Sequence, residues 1–352
     1  MDLPFSTPPA RLCLLRLSAL GDICHTLPIV RAIQRAWPRT ELTWIVGRIE
    51  HGLVHDVPGI EFIVFDKSQG LGAYAELRRQ LRGRRFDALL HMQVALRASL
   101  ASLCVASPIR LGFDRARARD FQWLFTNCTI AARPHEHVMD GLFGFAEALG
   151  IRERRLAWEI PIPAQAHEFA QQTLGDAPAL VISPSASASE RNWNTQGYAA
   201  LADYAEQRYG MHVVLTGGPG AGEREVAHAI VEQARGRPLD LVGRTTLKQL
   251  LAIFARAKVV VAPDSGPIHM ATAVGVPVIG LYACSNPERT GPYVGRELTV
   301  NEYPAAALEK YGRPADALSW GIRVRDRNAM NRIRVEQVIA MLDKALKRAW
   351  CR

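Results

Sequence analysis

Short, wholly apolar runs alternate with amphipathic stretches from Arg11 onward. Such runs read as strands buried on both faces, and apolar residues recurring at three- and four-residue spacing read as helices. Leu12–Leu17 is the first strand. Asp22–Trp37 follows as a helix with Leu27, Val30, Ile33 and Ala36 on one face, and Pro38 helps to end it. Leu42–Val46, Phe62–Phe65 and Phe86–Leu90 predict further strands, and Ala73–Leu81, Ala95–Val105 and Val138–Leu149 predict helices, the last stopped by Gly150. The rhythm pauses at Trp158–Ala164, where two prolines predict an extended linker. It resumes with strands at Ala179–Ser183, His212–Thr216, Asp240–Val242, Val259–Ala262 and Val276–Leu281. Helices are predicted at Gln196–Tyr209, Ala221–Ala234, Leu247–Ala255 and near Ile268–Val274. Residues 299–331 read as irregular, and Arg334–Trp350 as a final helix. The alternation predicts an α/β chain of two Rossmann-like, doubly wound domains, residues 1–160 and 165–330, facing a central cleft. In such sheets ligands approach the carboxyl ends of the strands, so chemistry is sought in the loops that follow them.

The 352 residues suit two domains at roughly 150 residues each. No apolar run approaches the ~20 residues of a membrane span. Asp2, Pro4, Pro8, Pro9 and the early Arg16 do not resemble a signal peptide, so a cytoplasmic chain is expected. Six scattered cysteines without a C-x-x-C pair predict neither a zinc site nor a disulfide framework. The net charge of +9 comes from 43 basic residues, six of them lysine. It reads either as affinity for phosphates, an acidic membrane surface or nucleic acid, or as an arginine-rich solvated surface.

Four strand-end loops carry candidate chemistry. Arg16–Asp22 (RLSALGD) puts a carboxylate at a helix start, either as a cap or as a base, with Gly21 allowing close approach. In APDSGPIHMATAVGVPVIGL (262–281) a buried strand ends in a small-residue turn that opens a helix, a ready phosphate site, and Asp264, Ser265, Gly266 and His269 fall together there. Thr216–Glu225 (TGGPGAGERE) is glycine-rich but is neither G-x-G-x-x-G nor a P-loop. Ser183–Trp193 (SPSASASERNW) offers hydroxyls and Arg191 to a diphosphate, or is a mobile surface loop. In the first half, Arg97 and the guanidiniums of Arg110–Asp120 either converge on a phosphorylated substrate or form a solvated face paired with Asp114 and Asp120. His51 and His55 stand four apart without a third ligand, and no D-x-D triplet appears, so no metal site is expected.

Taken together, RLSALGDICHTLP (16–28), LGFDRARARD (111–120), SPSASASERNW (183–193), APDSGPIHMATAVGVPVIGLY (262–282) and NPERTGPY (286–293) resemble the ADP-heptose:lipopolysaccharide heptosyltransferases of glycosyltransferase family 9, closest to the heptosyltransferase I branch. The resemblance runs roughly over residues 11–295. It implies a GT-B fold whose C-terminal helix, 334–350, packs back on the first domain. It also implies an inverting, metal-independent transfer of L-glycero-D-manno-heptose from ADP-heptose to Kdo, with no resident cofactor. The partners implied are the donor and a Kdo-lipid A acceptor at the inner-membrane surface, whose anionic face the arginine excess suits; nucleic acid is not among them. Asp22 matches the family's catalytic carboxylate; Asp264, Ser265, Gly266 and His269 match its D-[TS]-G-x-x-H donor loop; Arg97 and Arg119 fall at acceptor-side positions. Arg191 stands where the family commonly has Lys, and Glu223 lies two residues beyond Ala221, which occupies the register of the family's ribose-binding Glu. Two other readings stay open: a nucleotide-sugar epimerase of similar architecture, which needs two acid/base groups and no acceptor, and a non-catalytic sugar-nucleotide or lipopolysaccharide-binding protein.

Overall fold

The computed structural model describes Phe5 and residues 7–349, and the expectations placed on Asp2, Pro4, Trp350 and Cys351 lie outside them. The chain divides into two units, Met1–Pro161 and Ile162–Arg352.

In the first unit β1 (Arg11–Leu15), β2 (Glu41–Gly47), β3 (Ile60–Phe65), β4 (Ala88–His91), β5 (Ile109–Gly112) and β6 (Cys128–Thr129) form one parallel sheet. Its order is β3-β2-β1-β4-β5-β6. The helices are α1 (Leu20–Ala36), α2 (Arg48–Val54), α3 (Gly72–Gln80), α4 (Leu96–Ser102) and α5 (Val138–Ala148). Strand order reverses at β1, which pairs with β2 on one side and β4 on the other. Leu12, Leu14 and Leu15 are fully buried there, each burial contributing roughly 1.5–3 kcal/mol. β1 stops two residues short of Leu17, because Arg16 onward turns away as the loop that feeds α1. α1 continues through Pro28, which has no N–H for the carbonyl of Cys24. The Trp158 indole N–H donates to that carbonyl at 2.8 Å, and Arg31 donates to the carbonyls of Trp158 and Glu159. The extended segment is thereby pinned to α1. Gly150, at φ +85°, supplies the left-handed turn that follows α5.

The second unit repeats the plan with α6 (Ala164–Leu174), β7 (Ala179–Ile182), α7 (Thr195–Tyr209), β8 (His212–Leu215), α8 (Ala221–Gln233), β9 (Leu239–Asp240) and α9 (Leu247–Arg256). It continues with β10 (Val259–Pro263), α10 (Gly266–Ala273), β11 (Val278–Tyr282), α11 (Pro287–Thr290), β12 (Val300–Asn301), α12 (Tyr303–Tyr311) and α13 (Val335–Ala349). Its parallel sheet runs β12-β11-β10-β7-β8-β9. Four helices, α2, α6, α11 and α12, lie where none was read. α6 buries only Ala166, Ala170 and Leu174, and α12, inside the supposedly irregular 299–331, buries Tyr303, Ala306 and Ala307. Stripes this thin and alanine-rich leave almost no period. α13 contributes Val338, Leu342, Ala345 and Leu346 to the core of the second unit, and Tyr209 donates to Asp343 at 2.9 Å.

Behind β4 the first unit buries a polar chain. The Gln122 amide oxygen accepts from Phe113 N–H at 3.2 Å, which leaves its NH₂ to donate to the carbonyl of His91 at 2.8 Å and to His91 Nδ1 at 3.3 Å. His91 Nε2 then faces Ser99 Oγ at 3.3 Å. Nδ1 accepts here, so this geometry needs the neutral ring. Burial, with the charges of Arg110 and Arg16, pushes the His91 pKa down to about 3 from its ordinary 6.5. Between those values the unfolded chain takes up a proton that the folded chain refuses, so stability falls as pH drops from about 6.5 toward 3. The limiting slope is about 1.4 kcal/mol per pH unit. Urea unfolding from pH 7 to 4 is expected to show a shallower decline for His91→Gln than for the wild type. Equal slopes would mean that this ring does not carry the effect.

Candidate functional site

At the carboxyl end of β1 the chain brings Arg16 and Asp22 together. Asp22 is the third residue of α1 rather than its cap, a position held by Ala19. Asp22 Oδ2 accepts from the Ala19 N–H at 3.1 Å and lies 2.5 Å from one terminal nitrogen of Arg16. The other terminal nitrogen of Arg16 donates to the carbonyl of Met92, just past β4. Gln93 holds the intervening loop, accepting from Leu17 N–H at 2.7 Å and donating to Ser18 Oγ at 3.1 Å. Gly47 closes β2 under this loop, where a Cβ would stand 2.3 Å from the carbonyl oxygen of Leu17, so only glycine fits. Glu50, in the first turn of α2, lies on the same side; burial raises its carboxyl above the ordinary 4.5, and the Asp22 charge pushes the same way. The Arg16 side chain is 11% exposed and that of Asp22 33%, so the base candidate is reachable while its partner is not.

The arginines expected to converge divide into two kinds. Arg110 donates to the carbonyls of Ser102, Val105 and Phe125, and Arg117 pairs with Asp114 and with Glu136 at 2.9 Å. Both are structural. Arg97, on α4, and Arg119 are exposed, with neither guanidinium ion-paired among the described residues. His51 and His55 stack with ring centroids 5.6 Å apart, and His51 also packs edge-on against Phe62. A groove of about 700 Å³, unmarked by any motif, runs beside β3 and α3 and is lined by Arg48, Asp66, Glu76 and Arg79.

In the second unit the turn from β10 to α10 is built around Asp264. Its carboxylate is 8% exposed. It accepts from Arg191 at 3.1 Å and from Ser285 Oγ at 2.7 Å. Arg191 also donates to the Asp264 carbonyl at 2.7 Å and to Ser187 Oγ at 2.8 Å. Arg191 Nε and Ser185 Oγ are buried without a partner among the described residues. Ser265 occupies the cap position of α10 but makes no capping bond, its hydroxyl donating instead to the Pro263 carbonyl at 3.0 Å. Gly266 opens the helix, and His269 is buried one turn on. Beneath this loop Ser183 Oγ meets Thr216 Oγ1 at 2.6 Å and ties the ends of β7 and β8.

The glycine-rich loop is held by its own acid. Glu223, in the first turn of α8, accepts from the Gly218 N–H at 2.6 Å. A Cβ on Gly217 or Gly218 would come within 2.8 Å of that carboxylate. The structure therefore brings Arg191, Asp264, Ser265, Gly266 and His269 into one strand-end site, places Asp22 in another, and gives Glu223 a loop-holding bond. Sequence reasoning missed the roles of Arg16, Gln93 and Ser285: Gln93 and Ser285 bond to residues distant in the chain, and Arg16 joins nearby Asp22 to distant Met92.

Residues 74–316 match the model of glycosyltransferase family 9 (heptosyltransferase). The lipopolysaccharide core heptosyltransferase OpsX of Haemophilus influenzae is 40% identical, over 97% of this chain and 98% of its own. Among solved structures, a family 9 glycosyl transferase from Veillonella parvula superposes with a TM-score of 0.78 at 23% identity, covering 96% of this chain and 97% of its own. The Escherichia coli heptosyltransferase WaaC, solved with ADP, superposes with a TM-score of 0.73 at 20% identity, covering 95% and 99%. These likenesses give the chain an α/β fold of the GT-B type.

Arg191→Ala is expected to destabilise the protein by about 3–5 kcal/mol, because it strips a buried carboxylate of its cation. Adding Asp264→Asn should recover part of that loss, since no buried charge then remains unpaired. Urea unfolding of the two variants checks both; a double variant no more stable than the single one would exclude the ion pair as the cause.

Proposed function

The chain belongs to glycosyltransferase family 9, and from that premise we propose that it transfers L-glycero-D-manno-heptose from ADP-heptose to a Kdo residue of the lipopolysaccharide inner core, with inversion and without a metal. The observation that carries this reading is the single ion-paired, partly exposed carboxylate at the carboxyl end of the strand where the first sheet reverses. In the proposed reaction Asp22 takes the proton of the acceptor hydroxyl as that oxygen attacks the anomeric carbon. The bond to the diphosphate breaks on the opposite side, and its electron pair leaves with ADP. Arg16 acts as the positioning residue, since it ties Asp22 to the end of β4.

The second unit is assigned the donor. The uncapped N–H groups at Ser265 and Gly266 suit phosphate oxygens, and the unpartnered Arg191 Nε and Ser185 Oγ supply two more donors nearby. Asp264 orients Arg191, and His269 lines the same turn. Glu223 would reach a ribose only by releasing the Gly218 N–H. In the first unit, Arg97 and Arg119 are assigned to the carboxylates and phosphates of a Kdo-lipid A acceptor. The heptosyltransferase WaaC solved with ADP supports a nucleotide-sugar donor, and the lipopolysaccharide core heptosyltransferase OpsX supports the reaction class. Such an acceptor places the enzyme at the cytoplasmic face of the inner membrane. No helix among the described residues is long and apolar enough to cross a membrane.

Asp22→Asn is expected to lower turnover by about two to four orders of magnitude, the range for a positioned base, with ADP affinity by calorimetry unchanged. Near-native turnover would leave Asp22 a helix-start residue only. Activity is also expected to survive exhaustive EDTA. The proposed site stabilises the leaving diphosphate with N–H groups and a guanidinium, and no group of three metal-ligating side chains gathers among the described residues. Loss on chelation, restored by Mg²⁺ or Mn²⁺, would overturn the metal-free reading.

A further inference from the structure

Two neighbouring segments of the first unit turn large apolar side chains to solvent. α4 exposes Leu96, Leu100 and, just after its end, Leu103. Their spacing of four and three residues puts them on one helical face. Residues 120–125 expose Phe121, Trp123 and Leu124. Leu103, Phe121 and Leu124 are each more than 60% exposed.

The two segments are bound side by side at three levels. Asp120 Oδ2 accepts from Leu96 N–H at 3.4 Å at the start of α4. In the middle, Ser99 and Gln122 meet through the buried ring of His91. At the end, Arg110 donates both to Ser102 and to the Phe125 carbonyl, each at 2.8 Å. The polar residues facing inward are thus consumed by one another, and the apolar residues facing outward are held on a fixed surface. Each leaves between 38% and 65% of its surface in solvent, and six large apolar side chains gathered this way mark an interaction face.

The charge beside the patch identifies the partner. Among the described residues, Arg97 and Arg119 are exposed without an ion pair, and the Arg115 guanidinium lies over the Trp123 ring at 3.7 Å with no acid paired to it. Of the acids of the segment, Asp114 is paired with Arg117, and Asp120 accepts from Leu96 N–H but keeps its charge, so three cations face one anion. A face of leucines and aromatics rimmed by unpaired arginines matches an anionic bilayer, whose acyl boundary takes the apolar groups and whose head groups take the cations. A symmetric dimer through this face would instead set the arginines near their own copies. We infer that α4 and residues 120–125 form a docking surface for an anionic lipid bilayer. The inference draws its biological sense from the proposed lipid-borne acceptor, but it concerns binding to the bilayer itself.

The test uses the full chain with no donor or acceptor present. Sedimentation with vesicles of phosphatidylglycerol and phosphatidylethanolamine is compared with sedimentation with phosphatidylcholine vesicles. Wild type is expected to bind the anionic vesicles at least about tenfold more tightly, with binding weakened by salt. Leu103→Glu with Leu124→Glu should lower that binding at least about tenfold and leave the melting temperature unchanged, as both side chains are exposed. If the charged pair unfolds the protein, Leu103→Ser with Leu124→Ser carries the same expectation. The inference is overturned by wild type that binds neither vesicle, by variants that bind like wild type, or by light scattering that shows a dimer which the variants dissociate. Because no substrate is present, failure here leaves the proposed transfer standing, and failure of the transfer leaves vesicle binding standing.

Discussion

One guanidinium organises the first unit. Arg16 leaves β1 at the point where the sheet reverses, and it is almost wholly withdrawn from solvent. A buried cation must have its charge answered, and Arg16 answers it with Asp22 on one terminal nitrogen and the Met92 carbonyl on the other. That choice fixes three things at once: the path of the loop, the start of α1, and the position of the carboxylate proposed as the base. Gly47 and Gln93 serve the same loop from either side, one by having no side chain to obstruct Leu17 and the other by bonding to Leu17 and Ser18. A carboxylate carried on a free loop would sample many directions. Here its direction follows from packing, which is what proximity in a transfer reaction requires.

The second unit answers a similar demand differently. Arg191 and Asp264 also pair at a strand end, but both are buried, and Ser285 takes a further share of the carboxylate. A carboxylate this enclosed, already holding a guanidinium and a hydroxyl, is suited to framework rather than proton transfer. Asp22, one-third exposed, keeps an open side. The difference in exposure, more than the residue type, separates the proposed base from the acid that orients the proposed donor site. Arg191 in turn has an unpartnered Nε, so one residue both closes the framework and presents a donor.

The strands other than β5, β6 and β12 were legible because parallel strands buried on both faces are written as continuous apolar runs, and those three are short edge-side strands without such a run. The β10–α10 turn was legible because proline, glycine and a small hydroxyl residue crowd the end of such a run. What escaped had its cause elsewhere in the chain. α1 runs through Pro28 as expected, but the contact that allows it, the Trp158 indole on the carbonyl that proline strands, does not show in the sequence. Arg110 and Arg117 read either as substrate ligands or as part of a face paired with Asp114 and Asp120; Arg117 does pair with Asp114, whereas Arg110's partners are backbone carbonyls, which spacing does not show. Glu223 reads as standing two residues beyond the register of a ribose-binding Glu, while its bond to Gly218 N–H is a matter of local geometry. α6 and α12 were missed because alanine stripes carry little hydrophobic contrast.

The same strand end links the two proposals made for the first unit. Met92, which receives Arg16, follows directly on β4, and only a few residues separate it from Leu96 at the start of α4. Within that short stretch Gln93 bonds to the loop of the proposed base, and its own carbonyl accepts from Gln122 at 3.2 Å, in the segment that carries Phe121, Trp123 and Leu124. The Asp22 loop and the inferred bilayer face therefore share a hydrogen-bonded connection with little slack in it. A lipid-borne acceptor has its hydroxyl at a set height above the bilayer. A base on a separately moving element would meet that height only by chance, whereas one tied through Arg16 and Gln93 to the docking segments meets it by construction.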